Sequence, residues 1–198
     1  MHGMICKSLE GYVENTHGPE AWRAVRSSAG LPPSGFEPLL SYDDALFLAM
    51  QDAASEVLAL PATTLMEDVG TWICTHPPLE PVRRLFRFSG STFLDLLLSL
   101  DEIDARARMA VPELELPSFR LAQVGEGEFE VQSTWTVPGA GGLLSGALRA
   151  MADEYGALAI IEIVSVRALA GAWRETVIVR LVEEEFHTAK AFSLGGAG

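Results

Sequence analysis

Apolar positions recur three and four apart through the first half of the chain and two apart through most of the second. Met4 to Asn15 carries Ile5, Leu9, Tyr12 and Val13 on one face, the pattern of an amphipathic helix. Gly18 and Pro19 break it, and Pro19 can open a second helix to about Ala29 with Trp22 and Val25 inward. Gly30 to Pro38 reads as a loop. Ser41 followed by Asp44 resembles a capping box with Asp in place of Glu, opening a third helix that runs to about Leu58. Pro61 starts a fourth helix to about Thr75. His76-Pro77-Pro78 stops it, and Pro81 permits a short fifth helix, VRRLFRF.

The stretch Gly90 to Phe119 predicts a long helix followed by an extended, Pro-punctuated crossing. Phe93, Leu97, Leu100, Ala107 and Val111 fall on one helical stripe. Asp104, four after Leu100 and three before Ala107, puts a carboxylate on that stripe. Unpaired burial of a carboxylate is costly, so Asp104 has to be paired, protonated, solvated or held for a ligand. Arg108, four residues on, is the simplest partner.

From Ser118 the period becomes two. FRLAQVGEGEFEVQSTWTV alternates on either side of Gly125-Glu126-Gly127 and predicts a β-hairpin. After the Gly-rich break Pro138 to Gly142, a helix is expected over Leu143 to Tyr155. Strands are expected over Ala159 to Val166 and Trp173 to Val182, joined at Gly171. The fold class is α+β: a helical part over about residues 1–111, then a four-stranded antiparallel sheet with one inserted helix over about 112–185. Residues 186–198, ending in Gly-Gly-Ala-Gly, are expected to be a frayed C-terminal tail, and 1–185 read as one domain.

Composition narrows the function classes. Net charge is −13, which argues against a general nucleic-acid or anionic-membrane surface and suits a basic partner. No apolar run approaches the roughly 18 residues of a spanning helix, and the start, MHGMICKSLEGYVE, lacks a signal pattern. A cytoplasmic protein is expected. Cys6 and Cys74 give no disulfide framework and read as small core residues, with no metal spacing around them. His17 and His187 read as exposed; His2 and His76 read as capping or surface histidines that could stand in as ligands. Pro138-Gly139-Ala140-Gly141-Gly142 passes from strand to helix as phosphate loops do, but Leu144 replaces the third glycine of a dinucleotide motif and no P-loop lysine follows. Arg83, Arg84 and Arg87 form a small basic face, a candidate contact for an acidic partner. No catalytic set is evident, and an enzyme is not expected.

The opening MHGMI, the segment Leu97-x-x-Leu100-Asp101-x-Ile103, the downstream Val111-Pro112-x-x-x-x-Pro117-x-Phe119, and the order helix–hairpin–helix–hairpin together resemble the haem–nitric oxide/oxygen binding (H-NOX) family, over about residues 1–185. That family includes the sensor domain of soluble guanylate cyclase and bacterial stand-alone sensors. The resemblance implies haem between the helical and sheet halves, nitric oxide or another gas as ligand, and signalling in trans to a histidine kinase or cyclic-dinucleotide enzyme. It places Asp104 where the family has its iron-ligating histidine. It places Val131, Ser133 and Trp135 at the Tyr-x-Ser-x-Arg motif that holds the propionates, where the serine alone is retained. Ile5, Pro117 and His76 are placed at the pocket wall. A carboxylate is not among the usual axial ligands of haem proteins, and Val131 and Trp135 cannot make the charge-assisted contacts of Tyr and Arg. The residues therefore predict no histidine-ligated haem. The alternative on the same fold is a haem-free interaction protein or a binder of a small apolar ligand.

Overall fold

In a computed structural model, described for residues 1–32, 34–76, 90–110 and 113–183, a helical layer packs against one face of an antiparallel sheet. The helices are α1 (Gly3–His17), α2 (Pro19–Ser28), α3 (Asp44–Leu58), α4 (Ala62–Thr75), α5 (Phe93–Leu98), α6 (Ile103–Ala110) and α7 (Ala140–Tyr155). The strands are β1 (Ser118–Gly125), β2 (Glu128–Trp135), β3 (Leu158–Leu169) and β4 (Ala172–Glu183), ordered β1-β2-β4-β3 with every neighbour antiparallel. The helical first half, the hairpins and the inserted helix follow the expectation from periodicity. The short helix expected at VRRLFRF, the basic face at Arg83, Arg84 and Arg87, Val111, and the tail all lie outside the described residues.

Two local readings are corrected. The cap of α3 is Asp43, whose side chain accepts from the Ala45 N–H at 2.9 Å; Ser41 instead bridges His2 in a short extended contact. The reciprocal capping box sits at α5, between Thr92 and Asp95. Helix α7 begins at Ala140, three residues earlier than expected, because Gly139 takes a left-handed φ of 112° that turns the chain directly into the helix.

The expected long helix is interrupted. After α5 the chain tightens into a 3₁₀ turn, Leu100–Glu102, before α6 resumes. Ser99 marks the break: its hydroxyl donates to the Leu96 carbonyl at 2.9 Å, competing with the helical ladder. A 3₁₀ turn advances about 120° per residue against about 100° in an α-helix, so three residues rotate the following helix by roughly 60°. The buried positions become Leu100, Ile103 and Ala107, and Asp104 leaves the apolar stripe.

Helix α7 joins the two halves. It packs on the inner face of the sheet and lies alongside α4 at backbone contact distance. A Cβ added to Gly146 would stand 1.8 Å from the Glu67 carbonyl oxygen, and one on Gly70 would stand 2.1 Å from the Leu143 carbonyl oxygen. Thr71 adds a hydroxyl donated to the Gly146 carbonyl at 3.2 Å. Arg149 clasps both sides, donating to the Glu67 carboxylate and to the Ile161 carbonyl, each at 2.8 Å. Among the described residues, no single helix is long and apolar enough to cross a membrane.

Because neither backbone at the α4–α7 contact can yield cheaply, Gly146→Ala is expected to destabilise by at least about 1–3 kcal/mol, the range for overpacking a closed interface. Urea denaturation measures it. A midpoint equal to that of the parent would mean that the two helices can separate without loss.

Candidate functional site

Inward side chains of β2 and β4 form the floor beneath the helical layer. The cross-strand pairs Phe129–Val179, Val131–Val177, Ser133–Glu175 and Trp135–Trp173 put alternate residues of both strands on this face. Val131 and Ser133 are fully enclosed, and Trp135 packs against Phe47 of α3 with ring centroids 6.0 Å apart. The three positions singled out in β2 therefore share one buried face.

Asp104 is elsewhere in character. Its carboxylate accepts from the Arg108 guanidinium through Nε at 3.2 Å and Nη2 at 3.0 Å. The aspartate side chain is 26% exposed and the arginine 54%, so this is a boundary ion pair rather than a buried charge. The rotation introduced by the 3₁₀ turn explains the correction: Ile103 takes the core position that an unbroken helix would have given to Asp104.

The remaining candidates fall around the helical layer. Ile5 on α1 is half-buried against the core formed by α1 to α4. Pro117 is buried immediately before β1. His76 closes the C-terminus of α4 and stacks its ring on Trp72, at 4.4 Å and 19°. His2 is buried and serves as the N-cap of α1, its Nδ1 accepting from the Met4 N–H at 3.3 Å. Both histidines thus have structural partners. Cys6 and Cys74 are buried and not joined in a disulfide, and burial pushes the Cys6 thiol up to about 11. At neutral pH Cys6 is a protonated core residue rather than a metal ligand. A groove of about 270 Å³ lies at the far end of the hairpin, lined by Leu94, Gln123, Gly127, Phe129 and Leu181 to Glu183; it does not adjoin the motif positions of β2.

Periodicity alone had not drawn attention to Glu175. It is 3% exposed and points inward from β4, paired in register with Ser133, whose hydroxyl donates to the Glu175 carbonyl at 3.3 Å. Its carboxylate accepts from the Gly139 and Gly141 N–H groups, each at 2.6 Å. The glycine-rich strand-to-helix turn, which lacks the further residues of a phosphate loop and reads from sequence as a flexible connector, instead presents its N–H groups to an anion, and that anion is the protein's own side chain. A Cβ on Gly141 would lie 2.6 Å from Glu175 Oε2, so glycine is required for the carboxylate to seat. The signal was present in the period-two run Trp173, Glu175, Val177, Val179, which places Glu175 on the buried face.

With the fold and these positions in view, the relatives are informative. The sequence model of the Haem-NO-binding family matches residues 2–162. The chain belongs to the Haem-NO-binding (H-NOX) family. It is similar to soluble guanylate cyclase 89Da of Drosophila melanogaster, 24% identical over 160 residues that make up 81% of this chain and 24% of that protein. It is also similar to soluble guanylate cyclase 89Db of the same fly, 25% identical over 126 residues, 64% of this chain and 19% of that protein. The chain thus spans about a quarter or less of these relatives. Among solved structures, a Cs H-NOX mutant carrying 4-cyano-L-phenylalanine superposes with a TM-score of 0.75 at 16% identity, covering 95% of this chain and all of that one. An oxygen-binding H-NOX domain related to soluble guanylate cyclases, in its oxygen complex, gives 0.69 at 16% identity, covering 96% and 100%.

The family's cofactor is haem. The side chains at the positions that the resemblance assigns to it do not fit a histidine-ligated haem in this H-NOX domain. Asp104 carries no imidazole and is held by Arg108. Val131 and Trp135 offer a propionate neither a cation nor a phenol, and both are packed in the core. Ser133 has its hydroxyl engaged, and beside it stands a carboxylate, the same charge that a propionate would bring.

The two acidic groups should respond differently to mutation. Asp104→Asn is expected to cost less than about 1 kcal/mol, as for exposed pairs. Glu175→Ala is expected to cost about 1–3 kcal/mol, because a buried N–H at Gly141 and a part-buried one at Gly139 lose their acceptor. Parallel urea melts test the order; a larger loss at Asp104 would return that residue to the core.

Proposed function

We propose that this H-NOX domain is the sensing module of a signalling system, receiving a small ligand between its helical and sheet halves and controlling an output protein. The observation that carries this reading is the placement of Val131, Ser133 and Trp135 on one inward face beneath the helices, within a sensor-domain fold. By family, the output would be a histidine kinase or a cyclic-dinucleotide enzyme acted on in trans, and the matched relatives are guanylate cyclases. The ligand class follows from the residues of this chain. A floor of Val131, Val177 and Val179 with a packed tryptophan favours a neutral, apolar molecule or gas over an acidic porphyrin. A haem-free interaction protein on the same fold is the second reading, favoured by the contact of Trp135 with Phe47, which fills space with side chains of the chain itself.

The test is the absorption spectrum of protein expressed with ample haem supply. We expect no histidine-type Soret band at one haem per chain; full loading with ordinary nitric oxide binding would overturn the ligand class. The same spectrum tests the register. The variant Asp104→His/Val131→Tyr/Trp135→Arg restores the family side chains and should take up more haem than the parent. No gain would mean that the register is wrong or that the pocket has closed.

A further inference from the structure

The outer face of the sheet carries both signs of charge, segregated along the strands: Glu128, Glu130 and Glu162 lie at the end where Arg180 sits, and cations without an acidic partner lie at the other. Most described cations are neutralised: Lys7 by Glu10, Arg23 by Glu20, Arg106 by Glu102, Arg108 by Asp104, Arg149 by Glu67, and Arg180 by both Glu128 and Glu162. Arg26, half-buried on α2, and Arg120, Arg167 and Arg174, all three exposed on the sheet, make no ion pair among the described residues. Strand register gathers the three on the sheet. Arg167 on β3 stands directly opposite Arg174 on β4, on the face turned away from α7. Thr134 is the partner of Arg174 on the other side, and Arg120 pairs with Gln132, one step along the same face. With strands about 4.8 Å apart and same-face residues about 6.8 Å apart, Arg120 lies roughly 12 Å from Arg174 at the backbone. An arginine side chain bridges much of that span. The hydroxyls of Thr134, Ser165 and Thr176 lie on the same face between the guanidinium groups.

Like charges directly opposite each other across a sheet are destabilising, so the Arg167–Arg174 pair works against the fold unless an anion meets it. We propose that this face is a docking surface for an acidic segment of a partner protein, laid in extended form across β4. Charge complementarity sets the sign of the partner. Spacing sets its shape: same-face side chains of an extended segment repeat about every 6.8 Å, so one acidic side chain can meet the Arg167–Arg174 pair and one two repeats on, about 13 Å away, can reach Arg120. The overall charge of −13 selects against broad anionic surfaces such as nucleic acid or a charged bilayer, which would also meet the acidic remainder, whereas a short segment touches this patch alone. Guanidinium groups suit carboxylates because each can make a paired, charge-assisted contact.

The probe is a fluorescein-labelled oligo-glutamate peptide, followed by fluorescence anisotropy at low ionic strength. Two charge-matched double variants are compared: Arg167→Ser/Arg174→Ser on the sheet, and Arg23→Ser/Arg26→Ser on α2. The parent and the α2 variant should bind equally. The sheet variant should bind at least about tenfold more weakly, the loss of one charge-assisted contact or more. Binding by the parent should weaken with added salt. Urea midpoints verify folding, and relief of the arginine repulsion should leave the sheet variant at least as stable as the parent. Arg120→Ser gives a second reading of the surface should the double variant prove unstable. The proposal is overturned if the parent does not bind the peptide, if both double variants lose affinity equally, or if phosphatidylserine vesicles bind the parent as tightly as the peptide does. None of these outcomes depends on the absorption spectrum, so the sensing role and the docking surface stand or fall separately.

Discussion

The close approach of α4 and α7 is the constraint on which the rest of this H-NOX fold depends. Gly70, Gly142 and Gly146 let two helices meet at backbone distance, with carbonyl oxygens where side chains would otherwise stand. Helix α4 belongs to the helical layer, and α7 belongs to the sheet through Leu144, Leu148 and Met151. Fixing one against the other sets the height of the helical layer above the inward faces of β2 and β4. The identities of Val131, Ser133 and Trp135 acquire meaning because of that spacing. Arg149 reinforces it by tying Glu67 of α4 to the backbone of β3.

Within that frame the chain satisfies its own polar groups. Glu175 supplies the anion for the turn into α7, Arg108 supplies the cation for Asp104, and His2 and Asp43 cap their helices. Each contact replaces a possible ligand interaction with an internal one. Buried polar groups require partners, and here those partners are covalently part of the protein. At Asp104, the position that the resemblance assigns to the iron ligand, the partner is likewise internal.

Much of the architecture was legible in the sequence because burial imposes a period. The runs Leu9, Tyr12, Val13 and Phe129, Val131, Ser133 place their helix and strand faces without further information. The family resemblance rested on motifs whose order survived low identity. What escaped detection depended on phase and on register. An unbroken helix would put Asp104 on the apolar stripe; the break at Ser99 shifts the phase. Glu175 had no evident role until β4 was paired with β2 and the glycine turn came within reach. Arg120, Arg167 and Arg174 are far apart in sequence and become neighbours through strand order alone.

The central claim is that this core is complete without a histidine-ligated haem. Thermal unfolding of the haem-free protein over a range of added hemin addresses it directly, since a ligand that binds the native state raises the melting temperature with its concentration. The account predicts a cooperative transition whose midpoint is independent of hemin. A midpoint that climbs steadily with hemin, accompanied by a Soret band characteristic of imidazole ligation, would contradict it.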